Sequence, residues 1–198
     1  MTTLVFAAAA VLVFLAPGMT GLLEFDRSRI VTGEWWRLAT GHFAHGSAEH
    51  LAWDVLAFVV LGAACERIGR SAFLATLAAA SIAIGAAVLV FERDLEIYRG
   101  LSGVDSALFG WLLATLGRRA RAEKRSGLLL VAFGAGALFV AKSVFELTTG
   151  SAVFVTGNET TVASAHVVGV VVGMASSLLP FFRAPVARLV RREAPNTP

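Results

Sequence analysis

Residues 71–91 read SAFLATLAAASIAIGAAVLVF, a run with no acidic or basic side chain. An α-helix rises about 1.5 Å per residue, so this run reaches across about 30 Å, the thickness of a bilayer's hydrocarbon core. It has no polar face and is too long for a buried strand, so a membrane-spanning helix is the simplest reading. The rest of the chain repeats the pattern. Apolar blocks place further helices at residues 3–20, 48–66, 102–117, 127–147 and 161–182. The expected fold is an all-α membrane protein, a single domain over residues 1–198 with six transmembrane helices.

Composition agrees. Of the 198 residues, 57% are hydrophobic and 16% charged, and the mean hydropathy is +0.73. A soluble domain of this length needs more charge to cover its surface. The net charge of +3 does not call for a nucleic-acid partner, because arginines at the ends of membrane helices give the same balance. Cys65 is the only cysteine, so no internal disulfide forms, and it reads as a helix-packing residue.

Upstream, the first apolar block runs into Pro17 and Gly18. It lacks the basic segment and small-residue cleavage site of a signal peptide, which favours a first membrane helix. A polar, aromatic segment from residue 24 to 49 follows, holding Trp35, Trp36, Arg37, His42 and His45. It is too long and too polar to span, and its tryptophans suit the membrane interface. It is expected to form a long outer loop between the first two helices.

Basic residues set the orientation. With six spans and an inside N-terminus, eleven of the seventeen Lys and Arg fall on inner segments, among them Arg118, Arg119, Arg121, Arg188 and Arg191. That bias puts both termini in the cytoplasm. The same arrangement brings His45, His50, Asp54, Ser102 and His166 to one depth on the outer side, a coincidence not built into the count.

Two short motifs carry chemistry. Gly100-Leu101-Ser102-Gly103 opens the helix at 102–117. A serine hydroxyl attacks once a base takes its proton, and unpaired N–H groups at a helix start suit developing negative charge. The same tetrapeptide also serves as an ordinary helix cap. His166 lies in the last apolar block, where an ionisable group is costly and points to function, or to a hydrogen bond across the bundle. Gly169, Gly173 and Ser177 follow it on one helical face, and Ser102, Ser106 and Gly110 repeat every four residues. Two such faces allow backbones to approach closely and bring His166 to Ser102.

The third stretch is Gly33-Glu34-Trp35-Trp36-Arg37, then His42 and His45, then Glu49-His50-Leu51-Ala52-Trp53-Asp54. The Trp-Arg pair, the His-x4-His-x3-Asp spacing, Gly-Leu-Ser-Gly and Ala165-His166-x-x-Gly169 occur here in the order seen in rhomboid proteases, and the resemblance covers roughly residues 33–175. It implies a rhomboid-like bundle whose Ser102 attacks the scissile carbonyl and whose His166 is base, then acid, a dyad with no orienting carboxylate. It further implies that His50 and the position four later bind the oxyanion with the Ser102 N–H, that Gly100, Leu101 and Gly103 line the site, and that Arg37, His45 and Gly169 support it. Substrates would be membrane-anchored proteins in the lipid bilayer of a bacterial inner membrane, cut on the periplasmic or extracellular side, with no metal or cofactor. Residues 98–103, YRGLSG, resemble the rhombosortase branch, thought to process C-terminal Gly-Gly tails by hydrolysis or transpeptidation.

One departure stands out. The position four after His50 is usually Asn in the family and is Asp54 here. An ionised carboxylate repels an oxyanion. Asp54 either donates in a protonated form or pairs with His50 along the helix, the latter favoured. Asp105 either favours the helix start or touches His166. Rival readings are a zinc site, which the histidine spacing does not fit, a transporter, whose ionisable groups would cross the bilayer, and an inactive rhomboid-like protein that binds membrane clients.

Overall fold

The structure is a computed structural model, and it describes residues 1–150 and 162–179. Helix α1 (Thr2–Leu15) ends before the expected residue 20. Pro17 offers no N–H to continue it and pushes Ala16 into an extended conformation, with ψ 121°. Gly18, at φ 78°, turns the chain into a short α2 (Met19–Leu23). The Glu66 carboxylate, from the far end of α5 (Ala48–Ile68), accepts from the N–H groups of Thr2 and Thr3 and from the Thr3 hydroxyl. It caps the first turn of α1, whose amides have no partner within their own helix.

The segment between α1 and α5 is folded rather than slack. Strand β1 (Phe25–Asp26) pairs antiparallel with β2 (Ile97–Tyr98), Phe25 opposite Tyr98. Between β1 and α5 lie α3 (Arg27–Val31), α4 (Arg37–Thr40) and a 3₁₀ turn (Gly41–Phe43). Arg27 donates to the carbonyls of Val88, Leu89, Glu92 and Leu95, gathering the open end of α6 (Arg70–Phe91). Arg37 is buried, donates to the carbonyls of Gly21 and Glu24, and pairs with Glu34 at 2.6 Å. A Cβ on Gly85 of α6 would run into the Leu38 carbonyl, so α4 lies directly on α6.

The remaining helices are α7 (Ser102–Ala122), α8 (Ser126–Thr149) and α9 (Ala163–Ser176). Residues 161 and 180–182 of the expected last helix, and the basic residues counted beyond them, lie outside the described residues. Helices α6 and α8 are long and apolar enough to cross a membrane, with mean hydropathy 2.3 and 2.1 over their most apolar windows. Helices α5 and α7 match them in length, at 21 residues each, but carry more charge, while α1 and α9 are shorter apolar helices of 14.

Helices α7 and α9 meet backbone to backbone. A Cβ on Gly169 would collide with the Gly103 carbonyl, and one on Gly173 with the Ala107 carbonyl; one on Gly110 would come within 2.6 Å of the Val170 oxygen. The two faces of small residues therefore interlock, the small-residue packing that membrane helices use where lipid supplies no hydrophobic drive. Around them sit buried Phe25, Phe58, Phe73, Ile84, Leu108 and Trp111. Helix α8 is different: its buried residues are Ser143 and Glu146, and Leu130, Val131, Phe133 and Leu138 face outward.

Candidate active site

Gly100 adopts φ 115°, a conformation open to glycine, and a Cβ there would lie 2.8 Å from the His50 ring and 3.0 Å from Asp54. This turn delivers Leu101 and Ser102 to the start of α7. The interlocked α7–α9 contact then carries His166 to the serine. His166 Nε2 lies 3.0 Å from Ser102 Oγ, within reach for proton transfer. His166 is buried, and Gly169, one turn further on, makes the close approach possible.

The other nitrogen of the ring has a partner that the sequence motifs did not indicate. His166 Nδ1 lies 3.2 Å from Glu146 Oε2, and Lys142 Nζ donates to the same oxygen at 2.7 Å. Glu146 is 3% exposed. A signal was present: two ionisable residues four apart, hence on one helical face, inside an apolar block. Lys142, one of the six Lys and Arg that the six-span arrangement leaves on outer segments, lies within α8.

Asp54 gathers the opposite side of the site. Its Oδ2 accepts from the Leu101 N–H at 2.7 Å and the Ser102 N–H at 3.2 Å, and lies 3.1 Å from His45 Nε2 and 3.3 Å from His50 Nε2. A backbone N–H only donates, so Oδ2 is an acceptor here, and the carboxylate caps α7 from outside. The Ser102 N–H expected to face an oxyanion is thus engaged by Asp54. His45 is buried against Asp54 and lies edge to face with His50, ring centroids 5.2 Å apart. The favoured pairing of Asp54 with His50 is present, extended by three further donors.

Other expected residues fall around this core. Arg37 sits in the loop, where it ties the segment's carbonyls together. Gly103 packs against Tyr98 and α9. His42 is buried, with Nε2 3.0 Å from the Ser81 carbonyl and Nδ1 3.4 Å from the Gly100 carbonyl; burial pushes its pKa below the ordinary imidazole value. It braces the Gly100 turn. Asp105 is buried near the start of α7, and neither carboxylate oxygen has a hydrogen-bond partner among the described residues, His166 included.

The Rhomboid domain model matches residues 32–182, which hold the serine at the helix start, the histidine on its hydroxyl and the folded loop beside them. The chain belongs to the rhomboid family. It is 34% identical over 125 residues to "Rhomboid protease GluP" of Bacillus subtilis (strain 168), covering 58% of this chain and 24% of that protein. It is 32% identical over 82 residues to YdcA of the same organism, whose name carries the same family, covering 41% of each. This rhomboid chain therefore spans about a quarter of the first relative's length and two fifths of the second's. As a member of the family it is an integral membrane protein of all-α fold, consistent with the outward-facing apolar side chains of α8.

Proposed function

We propose that this rhomboid is an intramembrane serine endopeptidase acting on membrane-anchored proteins. The observation that carries the reading is the 3.0 Å approach of His166 Nε2 to Ser102 Oγ between two helices that close packing holds in register. In the proposed reaction Ser102 Oγ attacks the scissile carbonyl as its proton passes to His166 Nε2. His166 then returns that proton to the leaving amine, and water releases the acyl-serine. The Ser102 N–H and the His50 ring, both beside Asp54, are the proposed oxyanion donors, freed when the substrate carbonyl takes the place of Asp54 Oδ2.

The excess of basic residues on the expected inner segments supports cytoplasmic termini and a site open to the periplasmic or extracellular side. The resemblance of residues 98–103 to rhombosortases favours proteins with a C-terminal Gly-Gly tail as substrates. Both Ser102 and His166 are present and in contact, which favours an enzyme over an inactive client-binding relative.

A fluorophosphonate probe should label the wild-type protein at Ser102. Ser102→Ala and His166→Ala should each lower cleavage of a co-expressed Gly-Gly-tailed membrane protein to background, a loss on the order of 10⁶-fold. Undiminished cleavage by Ser102→Ala would remove the mechanism altogether. Ser102-dependent cleavage of other membrane proteins, but not of the Gly-Gly tail, would remove the substrate assignment alone.

A further inference from the structure

Glu146 lies where a dyad enzyme has no carboxylate. We infer that Glu146 is a positioning residue of this site, orienting the His166 imidazole from α8 so that Ser102, His166 and Glu146 act as a triad. The inference rests on the proposed roles of Ser102 and His166.

The geometry is specific on three counts. First, the two ring nitrogens are divided between two partners: Nε2 faces Ser102 Oγ at 3.0 Å, and Nδ1 faces Glu146 Oε2 at 3.2 Å. A carboxylate accepts only, so Nδ1 carries the proton and the Nε2 lone pair is left toward the serine. That is the tautomer a base needs. Second, the large apolar side chains Leu130, Val131, Phe133, Leu138 and Val140 of α8 face outward, and its two fully buried residues are Ser143 and Glu146. A helix with that pattern has no packing reason to bury a carboxylate. Third, Lys142 Nζ donates to the same Oε2 at 2.7 Å, one turn earlier on the same face. It balances the charge that Glu146 brings to a buried position.

During attack, the proton leaves Ser102 Oγ for His166 Nε2 while the Nδ1 proton stays on the ring. Glu146 remains ionised and faces the imidazolium that forms. Glu146 touches no reacting atom and acts through His166.

A merely structural bridge between α8 and α9 would produce the same distances, so the test needs readouts that such a bridge does not move. The rate of Ser102 labelling by a fluorophosphonate, measured on the full chain in detergent micelles, separates the maximal inactivation rate from the probe's half-saturation. Glu146→Gln should lower the maximal rate on the order of 10⁴-fold, as loss of the orienting carboxylate does in other serine triads, with half-saturation unchanged. Glu146→Asp should recover part of the loss. With histidine nitrogens labelled, the wild-type protein should show a strongly downfield imidazole proton that disappears in His166→Gln and moves upfield in Glu146→Gln. A maximal rate in Glu146→Gln equal to wild type overturns the inference. So does the absence of the downfield proton from the wild-type protein, a measurement that holds even if the variants fail to fold. If the wild-type protein is not labelled at Ser102 at all, it is the proposed hydrolase that fails; equal labelling of wild type and Glu146→Gln leaves the hydrolase standing and removes Glu146 alone.

Discussion

Helix α9 carries His166 and helix α8 reaches it, but the two are held in opposite ways. Helix α9 meets α7 through glycines whose missing side chains leave room only for backbone. Helix α8 reaches the site through a carboxylate and a lysine, and touches α7 through an aromatic pair, Phe109 and Phe139, with ring centroids 5.3 Å apart. The first contact is stiff, because packed backbones have no softer position nearby. The second depends on polar reach, so it can be weakened without disturbing the first. The lesson is a division of labour: the proposed nucleophile and base share one rigid pair of helices, and the proposed positioning group hangs from a neighbour.

That contrast makes graded predictions. Gly173→Val puts a side chain into the Ala107 carbonyl, so it should both destabilise the fold, by about 1–3 kcal/mol, and abolish fluorophosphonate labelling. Wild-type melting and labelling in this variant would mean that α7 and α9 are not in backbone contact. Asp54→Ala should come next, since it removes the acceptor for two backbone amides and two imidazoles; a loss of about 1–3 kcal/mol should appear in thermal denaturation. Asp54→Asn keeps a carbonyl oxygen for those donors and removes the charge facing an oxyanion, so activity should be retained or raised. Complete inactivity of that variant would show that the carboxylate itself is required. Lys142→Gln leaves Glu146 in place and should slow labelling less than Glu146→Gln does; an equal or larger slowing would assign the lysine a role of its own. Leu138→Ala, on the face of α8 that is 74% exposed at that residue, should change stability by about 0.5 kcal/mol or less.

Much of this site was legible because it is written in local patterns. Gly-Leu-Ser-Gly announces a helix start with a serine at its mouth, and the glycines after His166 announce close packing, since both depend on neighbours along the chain. The Asp54–His50 contact was legible as an i, i+4 pair for the same reason. The engagement of Asp54 with Leu101 and Ser102 was not, because it joins residues 47 and 48 positions apart. Glu146 escaped for a different reason. In sequence it sits near the end of an apolar block, where a charged residue ordinarily marks the membrane surface, and only the rotation of α8 turns it inward. The end of α1 escaped on local chemistry: hydropathy runs through Pro17, but backbone geometry does not.

The interlocked α7–α9 contact also bears on biosynthesis. Ser102 and His166 are 64 positions apart in the chain, so the proposed nucleophile is synthesised well before its proposed base. On the proposed mechanism, translation thus imposes a delay during which the half-made protein lacks its base. A chain stopped after residue 150 and held on the ribosome should resist fluorophosphonate labelling, and labelling should begin once α9 has been inserted. Reactivity in the shorter chain would place the activating base elsewhere.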